Sequence, residues 1–515
     1  MADSINGEVC QSADEHRATL MNQLYHQRSS ASVCGYDVVV IGGGVVGAAI
    51  LWELAKYDLR LALLEKRSDV ADATSKANSG IAHTGFDAKP GTLESALITF
   101  SNPQWDEICG LLEVPLQRCG AVMVALSEED LRGCEAALEE ARQNGVTDVR
   151  RLRADELLAL EPNLNPAVLG GLHIPRESLT SSSLLAIAYA ENAVLNGAHL
   201  FLEEPVIALQ PQLEGMILTT PKRTLRASWV INAAGLWSDE VARMIGDDSF
   251  TIAPRRGEFF ILDKTEGGLL RHIILPVPTP ISKGILAAPT VDGNLLLGPT
   301  ADDIQDKADT RTTADGLRRV AEATRKLVPA LDPYRKTITQ YAGLRAVCST
   351  GQFEIRPSAR SSRLIHAAGI RSTGLSASPG IARHVRMLLA EGGLSLRPRP
   401  GYRPDRPAIR FMRDASPEEA AKLHRHDLHY GHLVCRCEHV SEAEIVQAIR
   451  APIPATSLDA LKRRLRCGAG RCQGGFCGPR VMEILARELG LPLTAVCKGG
   501  AGSEIVLEAN KAAWK

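Results

Sequence analysis

The run Tyr36-Asp-Val-Val-Val-Ile41 passes directly into Gly42-x-Gly44-x-x-Gly47 and then into the apolar-rich stretch Ala48 to Tyr57. No other feature constrains the fold of this chain as tightly. β-Branched residues favour a pleated strand. Glycines at this spacing permit a tight turn, a close approach to a pyrophosphate, and close packing of the next helix on the strand. The helix amino-terminus then turns its unpaired N–H groups toward the phosphates. A second strand, Leu61-Ala-Leu-Leu64, ends in Glu65, the acid expected about 20 residues on to bond ribose hydroxyls. A lone glycine triplet is a weak signal; strand, turn, helix, strand and acid in register are a strong one. The unit predicts an α/β fold of Rossmann type. The fingerprint alone does not separate NAD from FAD.

At 515 residues the chain is too long for one core, so two or three domains are expected. Its 45% hydrophobic and 23% charged content fits a soluble globular enzyme. A net charge of −1 gives no global pull toward nucleic acid or an anionic membrane. Residues 1–35 read as a polar extension whose Glu8, Asp14, Glu15, His16 and Arg17 do not suit a secretory signal. The longest uncharged run, Val38 to Trp52, is broken by four glycines and falls short of the roughly 20 apolar residues of a spanning helix. The expectation is no transmembrane segment and a cytoplasmic protein, with any membrane contact peripheral and made through a partner. The twelve cysteines then belong to a reducing compartment and not to a disulfide framework.

Residues 36–395 alternate strand-like and helix-like stretches. Composition then shifts over 396–430, where Pro398, Pro400, Pro404 and Pro407 sit among Arg397, Arg399, Arg403 and Arg406. Such density of proline favours extended backbone, a linker or a wrap-around segment. Residues 431–495 read as a small α-rich module, followed by a tail over 496–515. Ser441-Glu-Ala-Glu444 is a capping box, Thr456-Ser-Leu-Asp459 caps a second helix, and Pro479 opens a third.

Within that module lie Cys435-Arg-Cys437 and Cys472-Gln-Gly-Gly-Phe-Cys477. Four thiolates in two close pairs make a metal or iron–sulfur site, and a module this small gains from such a staple. Four cysteines suit zinc as well as iron. Lys462, Arg463, Arg464, Arg466 and Arg471 crowd the ligands, either as cations that stabilise an anionic cluster or as a solvated helix face. Cys467 is an extra thiol beside the quartet, either a spare ligand or an inert thiol. His424, His426, His429 and His432 stand in a charged stretch and read as linker residues.

Longer motifs narrow the choice. TSKANSGIAHTGFDAKPGTL, INAAGLWSDE, PRRGEFFILDK, GNLLLGPTADDI, YAGLRA and AAGIRSTGLSASPGIA lie along residues 36 to 395. With them the chain resembles the D-amino-acid oxidase-like superfamily of FAD enzymes. Within that superfamily it is most similar to the branch of glycerol-3-phosphate and L-2-hydroxyglutarate dehydrogenases. VCRCEHVSEAEI and LKRRLRCGAGRCQGGFCG resemble the bacterioferritin-associated ferredoxin-like 2Fe–2S domain, in which a small residue usually stands at the position of Cys467. The resemblance implies two cofactors, FAD and a 2Fe–2S cluster on Cys435, Cys437, Cys472 and Cys477. It implies a discontinuous FAD domain (about 36–90, 175–240 and 350–395) with an inserted mixed-sheet substrate domain (about 91–174 and 241–349).

Roles follow from the same resemblance. His83 is the expected base for a hydroxyl proton, and Arg345 the expected clamp on an anionic substrate, with Lys283 a second cation. Ser75, Asn78, Ser79, Ala233 and Gly235 are expected on the flavin side. Ser372, Gly374 and Leu375 are expected to precede a helix over 379–389 whose amino-terminus stabilises negative charge on reduced flavin. The reaction implied is oxidation of a secondary alcohol on a small anionic substrate, foremost sn-glycerol 3-phosphate. Electrons then leave through the cluster to a partner subunit or quinone-linked carrier. A 2-hydroxyacid dehydrogenase and an amine or opine dehydrogenase are the enzymatic alternatives. A docking or redox-sensing role is the alternative for the small domain.

Overall fold

The computed structural model describes residues 34–278 and 283–508. Nearly all of the amino-terminal extension, and 509–515 of the tail, lie outside them.

The strand Cys34–Ile41 runs parallel between Leu61–Leu64 and Thr224–Asn232. His199–Phe201 extends this sheet past Leu61–Leu64, and Leu364–Ala368 pairs in parallel with the end of Thr224–Asn232. The twofold period of a strand sorts the side chains. Val38, Val40, Leu61 and Leu63 join the core beneath the helices Val45–Ala55, Ser182–Leu195 and Gly374–Glu391. Val39, Ile41, Ala62 and Leu64 join the core on the opposite face. This is the α/β architecture that the fingerprint implied.

The second sheet has nine strands drawn from two stretches of chain that interrupt the first. Its spine is the antiparallel pair Ile252–Leu262 and Thr337–Cys348. The parallel pairing of Ile273–Pro276 with Ala121–Ala125 makes the sheet mixed. Alternation again assigns the faces. Met123, Phe259 and Leu286 pack with the helix Glu128–Gln143, and Val122, Phe260 and Leu295 with the helix Ala314–Leu327.

A three-stranded ribbon pairs Ile81–Ala82 with Ser178–Thr180 in antiparallel register, Ala82 opposite Ser178. The next residue outward on each strand is His83 and Glu177, so the register sets them beside each other.

One helix boundary differs from expectation. The helix expected over 379–389 runs from Gly374 to Glu391 and keeps Pro379 inside it. Proline has no N–H for the carbonyl four residues back, that of Leu375. The Ser378 hydroxyl donates to that carbonyl at 2.8 Å, which removes the penalty of leaving it bare.

The proline- and arginine-rich stretch lies along the first domain as a strap. Pro398 bridges to Tyr57, and the Arg399 guanidinium donates to the carbonyls of Ala55 and Leu59. The Asn192 amide serves the carbonyls of Arg403, Pro404 and Asp405. Arg406, only 6% exposed, pairs with buried Glu191 at 2.6 Å.

The small module closes on its own core of Val440, Ile445, Leu461, Leu465, Val481 and Leu485. Its helices are Glu442–Ile449 with the Ser441/Glu444 capping box, Leu458–Leu465 capped by Ser457, and Gly478–Leu489 with Pro479 in its first turn. Four of the cations near the cysteines, Arg463, Arg464, Arg466 and Arg471, pair with acids of the larger unit and so dock the module. Arg464 and Arg463 both reach Asp69, at 2.7 and 2.8 Å, and Arg463 also reaches Asp72 at 2.6 Å. Arg466 reaches Asp292 and Arg471 reaches Asp263, both at 2.7 Å. Asp69 and Asp72 immediately precede the segment that carries Ser75 and Asn78, so the module is anchored at the flavin-side turn. Among the described residues no helix is long and apolar enough to cross a membrane.

Candidate active site

The glycine turn is shaped by exclusion. A Cβ on Gly47 would lie 2.0 Å from the Gly42 carbonyl oxygen. Gly42 has φ +106°, and a Cβ there would lie 2.4 Å from the oxygen of Ala233. Above Gly44 the space is open, with only the Ser75 hydroxyl at 3.3 Å. The turn therefore presents bare backbone and the start of the helix Val45–Ala55 to a cavity of about 800 Å³. Gly42, Gly44, Glu65, Ser75, Asn78, Ser79, Ala233, Gly235, Ser372, Gly374 and Leu375 line that cavity. So do His83, Lys283 and Arg345. Gly47 is not at its wall; it packs helix against strand. This long cleft, glycine-lined at one end and charged at the other, fits FAD.

Several polar residues on this wall hold the turn itself. The Ser75 hydroxyl accepts from the Val45 N–H at 2.8 Å. The Asn78 amide donates to the Ser75 carbonyl and the Ser182 hydroxyl, both at 2.9 Å. Glu65 accepts from the Gly43 and Arg67 N–H groups at 2.7 and 2.8 Å. Burial pushes its carboxyl up despite those two bonds. Gly374 begins the long helix, so Ser372, Gly374 and Leu375 stand at a helix amino-terminus on the cavity wall.

The charged end holds the pairs His83–Glu177 and Lys283–Asp87 and, beside them, Arg345, which has no ion pair among the described residues. His83 Nδ1 lies 2.9 Å from Glu177, whose side chain is fully buried. The contact is close without being aligned as a hydrogen bond. The other carboxylate oxygen of Glu177 accepts from the Thr84 N–H and hydroxyl at 2.7 and 2.9 Å, which fixes the acid in place. Burial opposes charge on the imidazole, but Glu177 outweighs it and raises the His83 pKa. Beside it Lys283 pairs with Asp87 at 2.8 Å. Arg345 donates to the Thr300 carbonyl at 3.1 Å. Among the described residues no carboxylate comes within ion-pair distance of it. Burial, aided by the charge of Arg255, pulls its pKa down to about 10. A half-buried guanidinium with no carboxylate in ion-pair contact is a ready receptor for an anion.

Sequence reasoning missed Glu177, Asp87 and Arg371, a further cavity cation paired with Glu94 at 3.2 Å. Asp87 and Arg371 lie inside motifs that carry the resemblance. Glu177 lies in none, and only the strand register shows it.

In the small module the expected ligands fall into two groups. Cys435 and Cys477 are buried with Cys467, and the three sulfur atoms all lie within 4.8 Å of one another. Cys437 and the exposed Cys472 contact each other beside this trio. Cys467, outside the expected ligand set, thus lies against two of its members, Cys435 and Cys477. A Cβ on Gly470 would come 2.4 Å from that of Cys437, so this loop closes only with glycine there. A compact nest of thiols with little else to bind fits a 2Fe–2S cluster. The four histidines form no comparable group among the described residues.

Comparison with known proteins points to the same two cofactor domains. Residues 37–388 match the FAD dependent oxidoreductase family, and residues 433–487 match the BFD-like [2Fe-2S] binding domain. The chain belongs to the FAD-dependent oxidoreductases. Within them it is an FAD-dependent dehydrogenase that carries a second, iron–sulfur cofactor domain. A glycerol 3-phosphate dehydrogenase of Caloramator mitchellensis is 40% identical over 476 residues, covering 92% of this chain and 99% of the relative. A glycerol 3-phosphate oxidase of Mycoplasma pneumoniae is 32% identical over 368 residues, covering 68% of this chain and 94% of the relative. The solved L-alpha-glycerophosphate oxidase of Mycoplasma pneumoniae with FAD bound superposes with a TM-score of 0.69 at 29% identity, over 72% of this chain and 98% of that one.

Proposed function

We propose that this protein oxidises the secondary alcohol of sn-glycerol 3-phosphate to dihydroxyacetone phosphate and delivers the electrons to an acceptor other than oxygen. The observation that carries the reading is Arg345, a guanidinium with no carboxylate partner among the described residues, in the same cavity as His83. The substrate phosphate neutralises Arg345 through paired N–H bonds and fixes the carbinol toward the imidazole. His83 takes the hydroxyl proton, and Glu177 stabilises the imidazolium that results. Asp87 already neutralises Lys283, which makes Arg345 the main anion receptor. When bound, FAD supplies the hydride acceptor and the 2Fe–2S centre a one-electron exit toward a partner subunit or quinone-linked carrier.

The dehydrogenase relative aligns across 92% of the chain, against 68% for the oxidase, and this supports a dehydrogenase with its own electron exit. Anaerobic mixing with candidate substrates while flavin absorbance is followed tests the reading. Bleaching by glycerol 3-phosphate, and not by L-2-hydroxyglutarate or amino acids, is the expected result. Bleaching by hydroxyacids or amines alone overturns it. Cys472→Ala separates relay from docking. A relay loses electron delivery while substrate still bleaches the flavin, whereas a docking module loses assembly with both half-reactions intact.

A further inference from the structure

A 2Fe–2S centre needs four thiolates, two on each iron. The small module brings five cysteines to one place, and the structure divides them unequally. Cys437 and Cys472 form an outer pair, with Cys472 exposed. The buried side holds Cys435, Cys467 and Cys477, with all three sulfur atoms within 4.8 Å of one another. A centre bound here would draw its outer iron's two ligands from Cys437 and Cys472, and its inner iron's two from the three thiols of Cys435, Cys467 and Cys477.

We propose that Cys467 is a reserve ligand of the inner iron, interchangeable with Cys435 or Cys477, and that the outer pair has no such reserve. Three anchors hold the trio. Cys435 ends the strand Leu433–Cys435, Cys477 caps the helix Gly478–Leu489, and Cys467 follows the helix Leu458–Leu465 through Arg466 in left-handed conformation (φ 67°). Arg466 is itself fixed by Glu438 at 3.0 Å and Asp292 at 2.7 Å, so Cys467 is held in the nest by the docking contacts. Exchange requires no oxidant. One iron–sulfur bond breaks as another forms, the incoming thiol gives its proton to the departing thiolate, and the charge of the ligand set is unchanged.

The inference rests on the 2Fe–2S assignment and not on the identity of the substrate. Its test is spectroscopic, so its failure is separable from failure of the proposed reaction. Cys467→Ala, Cys477→Ala, the double variant and Cys472→Ala are purified anaerobically. Iron, sulfide, flavin content and the electron paramagnetic resonance of the dithionite-reduced protein are then measured. Cys467→Ala and Cys477→Ala are each expected to keep the iron and sulfide of a full centre, with shifted g-values in Cys477→Ala. The double variant and Cys472→Ala are expected to lose the centre while flavin content stays at the wild-type level. Cys435→Ala repeats the inner-side test if Cys477→Ala, altered at a helix cap, does not fold. Loss of the centre from a folded Cys477→Ala or Cys435→Ala as complete as in the double variant overturns the proposal. So does loss from Cys467→Ala alone, or retention in Cys472→Ala.

Discussion

The flavin cradle and the cluster nest solve the same problem of holding a cofactor by opposite means. The cradle works by absence, since Gly42 and Gly47 leave room for backbone to touch backbone, and a single carbon on Gly47 would stand 2.0 Å from an oxygen. The nest works by presence, with five thiols in one small volume. A site made of bare backbone tolerates no addition, because packed main chain has no rotamer into which to retreat. A site made of side chains carries surplus readily. The contrast is broken most directly by Gly47→Val. It is expected to abolish flavin binding outright, read as loss of the flavin absorbance band from purified protein. A Gly47→Val enzyme with normal flavin content would mean that the helix shifts freely and the cradle is not rigid.

The next largest effect is at the joint between the two regions. Asp69 is buried between Arg463 and Arg464. Burial alone would raise its pKa, but the two guanidinium groups hold it below the ordinary carboxylate value. Its contribution to docking is therefore present at neutral pH and lost as pH falls through the depressed native pKa. Asp69→Asn leaves two cations facing a neutral amide, a loss of about 3–5 kcal/mol when a buried pair is broken. The expected outcome is protease sensitivity of the 396–430 strap and slowed reduction of the cluster by flavin. Flavin bleaching by substrate is expected to be unchanged. Wild-type behaviour in limited proteolysis would show that the strap, through Arg406 and Glu191, suffices to hold the module.

Within the active site, Arg345→Ala is expected to raise KM for an anionic substrate by about 10- to 100-fold, the size of a lost charged hydrogen-bonding partner. The effect on kcat is expected to be smaller. Steady-state kinetics with glycerol 3-phosphate and with uncharged glycerol checks this. Only the discrimination between the two substrates should collapse. An equal loss for both would make Arg345 a structural residue bound to Thr300.

How much of this was legible in the chain follows the same division. The cradle could be read from sequence because its requirement is local. Strand, turn and helix are contiguous between Tyr36 and Tyr57, and glycine is the signal. The fold class was legible for that reason, and so was the iron–sulfur module, whose caps at Ser441 and Pro479 are local too. The extent of the helix from Gly374 was not, since Pro379 reads as a first-turn residue until Ser378 is seen to serve the freed carbonyl. The docking role of Arg463 and Arg464 was hidden as well. Their partner Asp69 lies 395 positions away from Arg464, and no spacing rule connects them. Glu177 was invisible for the same reason. Its proximity to His83 is a property of strand register, and neither residue announces the other.

That pair gives the smallest and most diagnostic effect. Glu177→Gln keeps the volume and the bonds to Thr84 but removes the charge that raises the His83 pKa. Burial, which the carboxylate now outweighs, is then left to lower it. If the neutral imidazole is the base, activity rises with pH as His83 loses its proton, so the acid limb of kcat/KM marks the histidine pKa. In Glu177→Gln that limb is expected to move to lower pH. The plateau is expected to fall as well, because a weaker base accepts the hydroxyl proton less readily and the imidazolium has lost its counter-charge. The two changes have opposite signs at acid pH, so the mutant and wild-type profiles converge there and separate above neutrality. A merely structural Glu177 would lower activity at every pH and leave the limb in place. A His83→Ala enzyme that keeps full activity would remove histidine from the proton transfer and favour an amine substrate, whose neutral form needs no such base.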